Sequence, residues 1–325
     1  MLQSKKKSFN QIKIHSQYSI CEGALKIENL KEYCKKNKIQ SVGLSDTYNL
    51  SGALEFSENI SSVGTQPIIG SQVQFKFKNT YGLIPLIAKN YNGYKNIIEL
   101  SSKAYLENVD NDQPHCSIED LTKYSDGIIV LSGAINNLIG NMFNKGLFEE
   151  LDELITILNN NFKENFYLEI QRHGDKNEKE FEFFNLNVSK KYQIPIIATN
   201  EVYYLDKEMH EAHDALMCIG QKTYINDQKR LKLTNNHYLK SSAEMDEIFK
   251  DLPEALENNY NLPFRCNFRP IPSKPILPNI ITDTVNIDDK LKNDSLKGLE
   301  EKFKIDPELI SKISNNIKTK DTYKD

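Results

Sequence analysis

The sequence predicts an α/β fold, either a β/α barrel or a doubly wound sheet. Short apolar runs rich in Ile, Val and Leu recur along most of its length. Most of these runs are continuous rather than alternating, as expected of strands buried on both faces of a parallel sheet. Amphipathic helical stretches lie between many of them, so seven βα-type units fit into about 200 residues.

Strands are predicted at residues 11–15, 41–45, 67–75, 83–88, 127–132, 166–171 and 194–199. A helix over 27–36 places Ile27, Leu30 and Tyr33 on one face, and a second over 147–158 does the same with Leu147, Leu151, Leu154, Ile155 and Leu158. The helix over 178–191 begins with acidic residues and ends in Lys190 and Lys191, which suits the helix dipole. No strand is predicted beyond residue 199. Residues 207–219 read as a helix, Ser241, Ser242 and Glu244 open another with a capping box, and 251–260 form a third. Pro263, Pro270, Pro272, Pro275 and Pro278, five of the eleven prolines, then mark an extended connector. Helical spacing returns over 289–303 with Leu291, Leu296 and Leu299, before a polar tail over 315–325.

The 325 residues carry 41 Lys+Arg against 45 Asp+Glu, a net charge of −4, which excludes a wholesale polycation. Any contact with nucleic acid has to use a local patch. No apolar run approaches the ~20 residues of a membrane span. The basic start lacks the apolar stretch of a signal peptide. Five scattered cysteines without a CxxC spacing read as reduced thiols, so a cytoplasmic location is expected.

A β/α barrel carries its chemistry at the C-terminal ends of the strands. The polar residues there are His15, Ser16, Asp46, Thr47, Gln72, Gln171, Arg172, His173, Asn200 and Glu201. Among them His15, Asp46, His173 and Glu201 have the imidazole and carboxylate donors that suit Zn, Mn or Fe. Strand ends also meet polar loops without any function. His210 and His213 have H-x-x-H spacing that could present two imidazoles on one helix face, but a third ligand is not evident. His115, in a polar loop, reads as solvated, and Lys5–Lys7 as a disordered basic start rather than a phosphate contact. No Gly-rich loop precedes a helix in the way a phosphate cradle requires.

Several strings taken in order are more specific. IHSQYSICEGAL (14–25), GLSDTYNLSGALE (43–55), PIIGSQVQ (67–74), AKNYNGYKNIIELSS (88–102), YLEIQRHG (167–174), IPIIATNEVYYLDKEMHEAHDALMCI (194–219), HYLKSSAEM (237–245) and LPEALENN (252–259) cover nearly the whole chain. Together they resemble the N-terminal region of the alpha subunits of bacterial DNA polymerase III, which begins with a PHP (polymerase and histidinol phosphatase) domain. The resemblance implies a distorted seven-stranded β/α (TIM-like) PHP barrel over 1–265, a Pro-rich connector over 266–282 and the incomplete helical start of a polymerase core over 283–325. It also implies a nucleotidyltransferase in the whole protein, with Mg, DNA and deoxynucleoside triphosphates bound elsewhere. Its implied partners are a proofreading exonuclease subunit and a sliding clamp, with no membrane.

The departures from the family pattern are informative. Metal-binding PHP domains hold a cluster of ions in a ring of His, Asp, Glu and Cys ligands. At the matching positions this chain has Lys13, Thr47, Gln72, Leu83, Ala134 and Tyr203. The ligands left by the resemblance are His15, Asp46, His173 and Glu201, the last itself a substitution. An ammonium at Lys13 would repel a dication and could pair with Asp46 or Glu201 instead. The expectation is therefore a vestigial, unoccupied metal site, no catalytic or cofactor-binding residues in this region, and no polymerase active site. The alternative is a stand-alone metal-dependent PHP phosphoesterase or 3′-exonuclease.

Overall fold

The computed structural model describes residues 7–107, 113–275 and 286–305. The chain divides into two compact units, Met1–Pro272 and Ser273–Asp325. In the first unit the strands are β1 (Gln11–Ile14), β2 (Ser41–Thr47), β3 (Gln66–Phe77), β4 (Thr80–Ala88), β5 (Cys116–Ser117), β6 (Ile128–Leu131), β7 (Phe166–Ile170), β8 (Ile196–Ala198) and β9 (Glu201–Val202). The helices are α1 (Ile27–Asn37), α2 (Ala53–Ser62), α3 (Tyr91–Leu106), α4 (Ile118–Lys123), α5 (Leu138–Asn144), α6 (Phe148–Phe162), α7 (Glu178–Tyr192), α8 (His210–Gly220), α9 (Ser242–Ile248) and α10 (Pro253–Asn261). Within the second unit, α11 (Ile287–Ile305) starts with Asp288 and Asp289 and ends with Lys302 and Lys304, again matching the dipole. The start through residue 6, Pro278 and the polar tail lie outside the described residues.

The strands run in the order β8-β7-β6-β4-β3-β2-β1-β9. The two ends of this path, β8 and β9, are consecutive in the chain, with only Thr199 and Asn200 between them. The sheet therefore curls into a distorted barrel, with its two end strands joined in the chain by this two-residue step. Ile12, Ile68, Ile87, Ile129, Leu131, Tyr167 and Ile197 pack inside as a floor, plugged by Leu262 and Cys266. Alternation then sends the neighbouring residues outward onto the helices. Ile14, Val42, Leu44 and Ile69 meet Ile27 and Leu30 of α1 and Phe56 and Ile60 of α2.

Strand β1 breaks the alternation, because Ile12 faces inward with the floor and Ile14 outward with the helices. A bulge explains this: Gln11 pairs with Val42 and Ile14 with Leu44, three steps against two. Gly43 faces the bulge, where a Cβ would come within 2.6 Å of Ile12 O. The bulge leaves Lys13 and His15 pointing into the barrel above the floor, where inward alternation from Tyr167 and Ile197 also delivers Glu169 and Thr199.

Three sequence expectations are corrected. The sheet is not wholly parallel: β4 runs antiparallel to both β3 and β6. A two-residue turn joins β3 to β4, with Lys78 at φ 51. Strand structure does not end at 199, because β9 pairs with β1, matching Glu201 to Lys13 and Val202 to Ile14. His115 is buried rather than solvated, its ring edge-on to Tyr81 at 5.0 Å. The capping box at the start of α9 is present, with the Ser241 side chain accepting from Glu244 N. All five cysteines are free, and burial pushes the thiols of Cys34, Cys116 and Cys266 up to about 12.

Candidate functional site

Above the apolar floor the barrel holds a layer of charge. Lys13, fully buried, brings Nζ to 3.0 Å from Glu169 Oε1 and 3.4 Å from Glu201 Oε2. These are charge contacts rather than well-directed hydrogen bonds. Burial works against the ammonium, but the facing carboxylates of Glu169 and Glu201 outweigh it and hold its pKa above the ordinary 10.5. Glu201 answers in the opposite direction. Burial opposes its ionisation, yet Lys13, His15 and Gln72 pull its pKa well below the ordinary carboxylate value. Glu169 also accepts from Gln171 Nε2 at 2.6 Å and from the Thr199 hydroxyl.

The layer above joins His15, Gln72 and Glu201. His15 Nε2 lies 3.0 Å from Glu201 Oε1, and Gln72 Nε2 donates to the same oxygen at 2.5 Å. Asn137 Nδ2 donates to Gln72 Oε1 at 3.1 Å, which fixes the orientation of the glutamine amide. Tyr203 stacks on His15 with centroids 4.3 Å apart. On the far side, His15 Nδ1 faces the hydroxyls of Ser19 at 3.2 Å and Thr47 at 3.3 Å.

Asp46 is buried but lies apart from this centre. Strand alternation puts it on the helix side with Val42 and Leu44. Its oxygens are taken up by Ser16 N at 2.7 Å, Ser16 Oγ at 2.8 Å and Ser19 Oγ at 2.7 Å. Burial raises its pKa, although these donors oppose the rise.

At the barrel rim, His173 stacks on His237 with centroids 4.0 Å apart and planes 5° from parallel. Each ring is anchored by its inner nitrogen. His173 Nε2 lies 3.0 Å from Asn200 Oδ1 and 3.2 Å from the Glu201 N–H, and His237 Nδ1 lies 3.2 Å from Glu201 O. Burial, then His237 and Lys240 nearby, drive the pKa of His173 well below the usual 6.5. Lys240 donates to Asn200 Oδ1 at 2.9 Å, and burial lowers its own pKa to about 8.

Of the four ligands left by the resemblance, the structure brings His15 and Glu201 into contact. His173 reaches Glu201 only through its main chain, and Asp46 stands behind Ser16 and Ser19. Lys13 pairs with Glu201 as expected but not with Asp46; its closer partner is Glu169, which alternation from Tyr167 could have placed inside the barrel. His237 was also missed, because it follows an irregular stretch with no periodic signal. Leu83 pairs across from Gln74 on the inward face, one step from Gln72. His213 sends Nε2 to Glu22 O at 2.7 Å, and His210 lies beside Tyr204.

A barrel closed in this way, with an inward charged layer at its strand ends, defines a class of α/β protein. A family model described as PHP domain matches residues 11–173, half of the chain, and the chain belongs to that family. Its curated relatives are more particular. DNA polymerase III subunit alpha of Borreliella burgdorferi is 36% identical over 323 residues, covering 94% of this chain and 28% of that protein. The same subunit of Caulobacter vibrioides is 32% identical over 302 residues, covering 90% and 26%. The chain thus spans about a quarter of the length of these relatives. A solved structure of a two-domain protein containing a predicted PHP-like metal-dependent phosphoesterase, from Bacteroides vulgatus, covers 73% of this chain and 62% of its own, at 9% identity and a TM-score of 0.38. Among the described residues no helix is long and apolar enough to cross a membrane.

Proposed function

We propose that this chain is the N-terminal PHP region of a replicative DNA polymerase III alpha subunit, and that its barrel centre is a scaffold held by an ion pair instead of a metal cluster. The observation that carries the reading is the Lys13 ammonium between Glu169 and Glu201. A divalent cation there would face a fixed positive charge at contact distance, and both carboxylates already share that ammonium. Gln72 presents an amide N–H to Glu201 where a metal would need a lone pair, and Tyr203 presents a ring face to His15. The donor set at the centre does not fit the family's metals, so no hydrolytic step is routed through it.

Residues 266–282 then serve as a connector, and 283–325 as the start of the polymerase core. In the whole protein the nucleotidyltransferase site, its Mg, DNA and deoxynucleoside triphosphates lie outside this region. The proofreading exonuclease and the sliding clamp are partners of the assembled replicase in the cytoplasm. With a net charge of −4, DNA binding by this chain alone is weak and falls steeply with salt.

The test is a primed-DNA assay with Mg²⁺, Mn²⁺ or Zn²⁺. The reading expects neither nucleotide incorporation nor shortening of the primer. Metal-dependent shortening abolished by His15→Ala would overturn it in favour of a PHP phosphoesterase or 3′-exonuclease.

A further inference from the structure

Two buried imidazole nitrogens at the barrel rim have no hydrogen-bond partner: His173 Nδ1 and His237 Nε2. Their side chains are only 1% and 3% exposed, so water does not simply satisfy them. Each faces a carboxylate just beyond hydrogen-bond reach. His173 Nδ1 is 3.5 Å from Glu178 Oε1, and His237 Nε2 is 3.5 Å from Asp175 Oδ2. The tautomer of His237 follows from its other nitrogen. Nδ1 faces only the Glu201 carbonyl and must donate to it, so in the neutral ring Nε2 turns a lone pair toward Asp175. A lone pair and a carboxylate oxygen repel unless a cation lies between them. His173 Nε2 faces two partners, the Asn200 Oδ1 acceptor and the Glu201 N–H donor, and the ring frees its Nδ1 lone pair in the tautomer that donates to Asn200.

Protein metal sites hold their histidines as His237 is held here. The inner nitrogen is tied to a carbonyl or amide oxygen, which fixes the tautomer, and the outer nitrogen is left free. We propose that His173, Asp175 and His237 form a mononuclear site for a borderline divalent cation of the Zn²⁺ type. Ligand atoms of the three lie within 4.8 Å of one another. Two imidazoles and a carboxylate suit Zn²⁺ and leave a fourth position for water. Glu178 accepts from the N–H groups of His173 and Gly174 at 2.9 and 2.7 Å, and so holds the loop that carries Asp175.

Binding requires movement. Tetrahedral Zn²⁺ places its ligand atoms about 3.4 Å apart and in the plane of each ligating ring. The trio therefore contracts and the parallel rings leave their stack. Gly174, at φ 82, gives the Asp175 loop a hinge, and Asp175 is the partly exposed member through which an ion enters. The site is separate from the barrel centre, since none of the three side chains touches Lys13 or Glu169. Its role is that of a clip, fastening the segment around His237 to the end of β7.

The test uses the whole 325-residue chain without a polyhistidine tag, stripped with a chelator and titrated with Zn²⁺ against a chromophoric competitor. One equivalent is expected, with Co²⁺ giving the d–d absorption of a low-coordinate nitrogen and oxygen site. His237→Ala and Asp175→Asn each weaken binding by at least about 10-fold. His15→Ala leaves it unchanged. Asp175→Asn alters only a partly exposed loop residue and keeps the test valid if His237→Ala fails to fold. No saturable binding, or binding lost in His15→Ala but kept in Asp175→Asn, overturns the proposal.

Discussion

The barrel centre and the barrel rim both bury imidazole beside carboxylate, and they settle the charge differently. At the centre the chain supplies its own cation: Lys13 bridges Glu169 and Glu201, and Gln72 completes the second carboxylate. At the rim no side-chain cation stands between His237 and Asp175, and two ring nitrogens are left without partners. A fixed ammonium closes a site against metals, whereas unpartnered ring nitrogens leave one open. The difference is set by strand geometry as much as by residue type. The bulge in β1 turns Lys13 inward, while the loop after β7 holds Asp175 close to the surface.

The largest effect is expected at the centre. Lys13→Met leaves two buried carboxylates facing each other and destabilises the fold by about 3–5 kcal/mol in a urea melt. Adding Glu169→Gln restores part of that loss, because the uncompensated charge is the cost. A Lys13→Met chain as stable as its parent would erase the distinction between the two regions. Next comes the bulge. Gly43→Ala places a methyl against Ile12 O and should cost about 1–3 kcal/mol, read from the same melt.

The pH dependence sharpens the contrast further. Glu201 has a folded pKa below its unfolded value, so its contribution is fully present above about 4.5 and is lost as pH falls through the depressed folded value. Between these two values the native chain loses stability by up to about 1.4 kcal/mol per pH unit more than Glu201→Gln does. Parallel slopes in acid urea melts would show that Glu201 is not held ionised. The smallest effect belongs to exposed pairs such as Lys191 with Asp152, where Lys191→Ala is expected to leave the urea midpoint unmoved.

Much of the barrel was legible because its strands are continuous apolar runs, from the Ile-Ile-Val-Leu of β6 to the strand ending at Ile170. The β3–β4 hairpin was not, since Lys78 takes a positive φ without being Gly or Asn-Gly and Lys76 to Gly82 alternates weakly. The two residues of β9 are too few for any periodic signal. In the site, Lys13 was visible as a cation in a place that family resemblance reserves for a ligand. Glu169 was hidden because one charge inside an apolar strand reads as an edge residue until the closed barrel turns it inward. Asp46 was misplaced for the converse reason: a strand end gives its residue type but not its face.

The central claim is that an ammonium occupies the barrel centre to the exclusion of metal. The direct measurement is metal content by elemental analysis of the Asp175→Asn, His237→Ala double variant, dialysed after exposure to Zn²⁺ and Mn²⁺. With the rim disabled, the account predicts no bound metal. Two or more equivalents retained, and lost on adding His15→Ala, would contradict it.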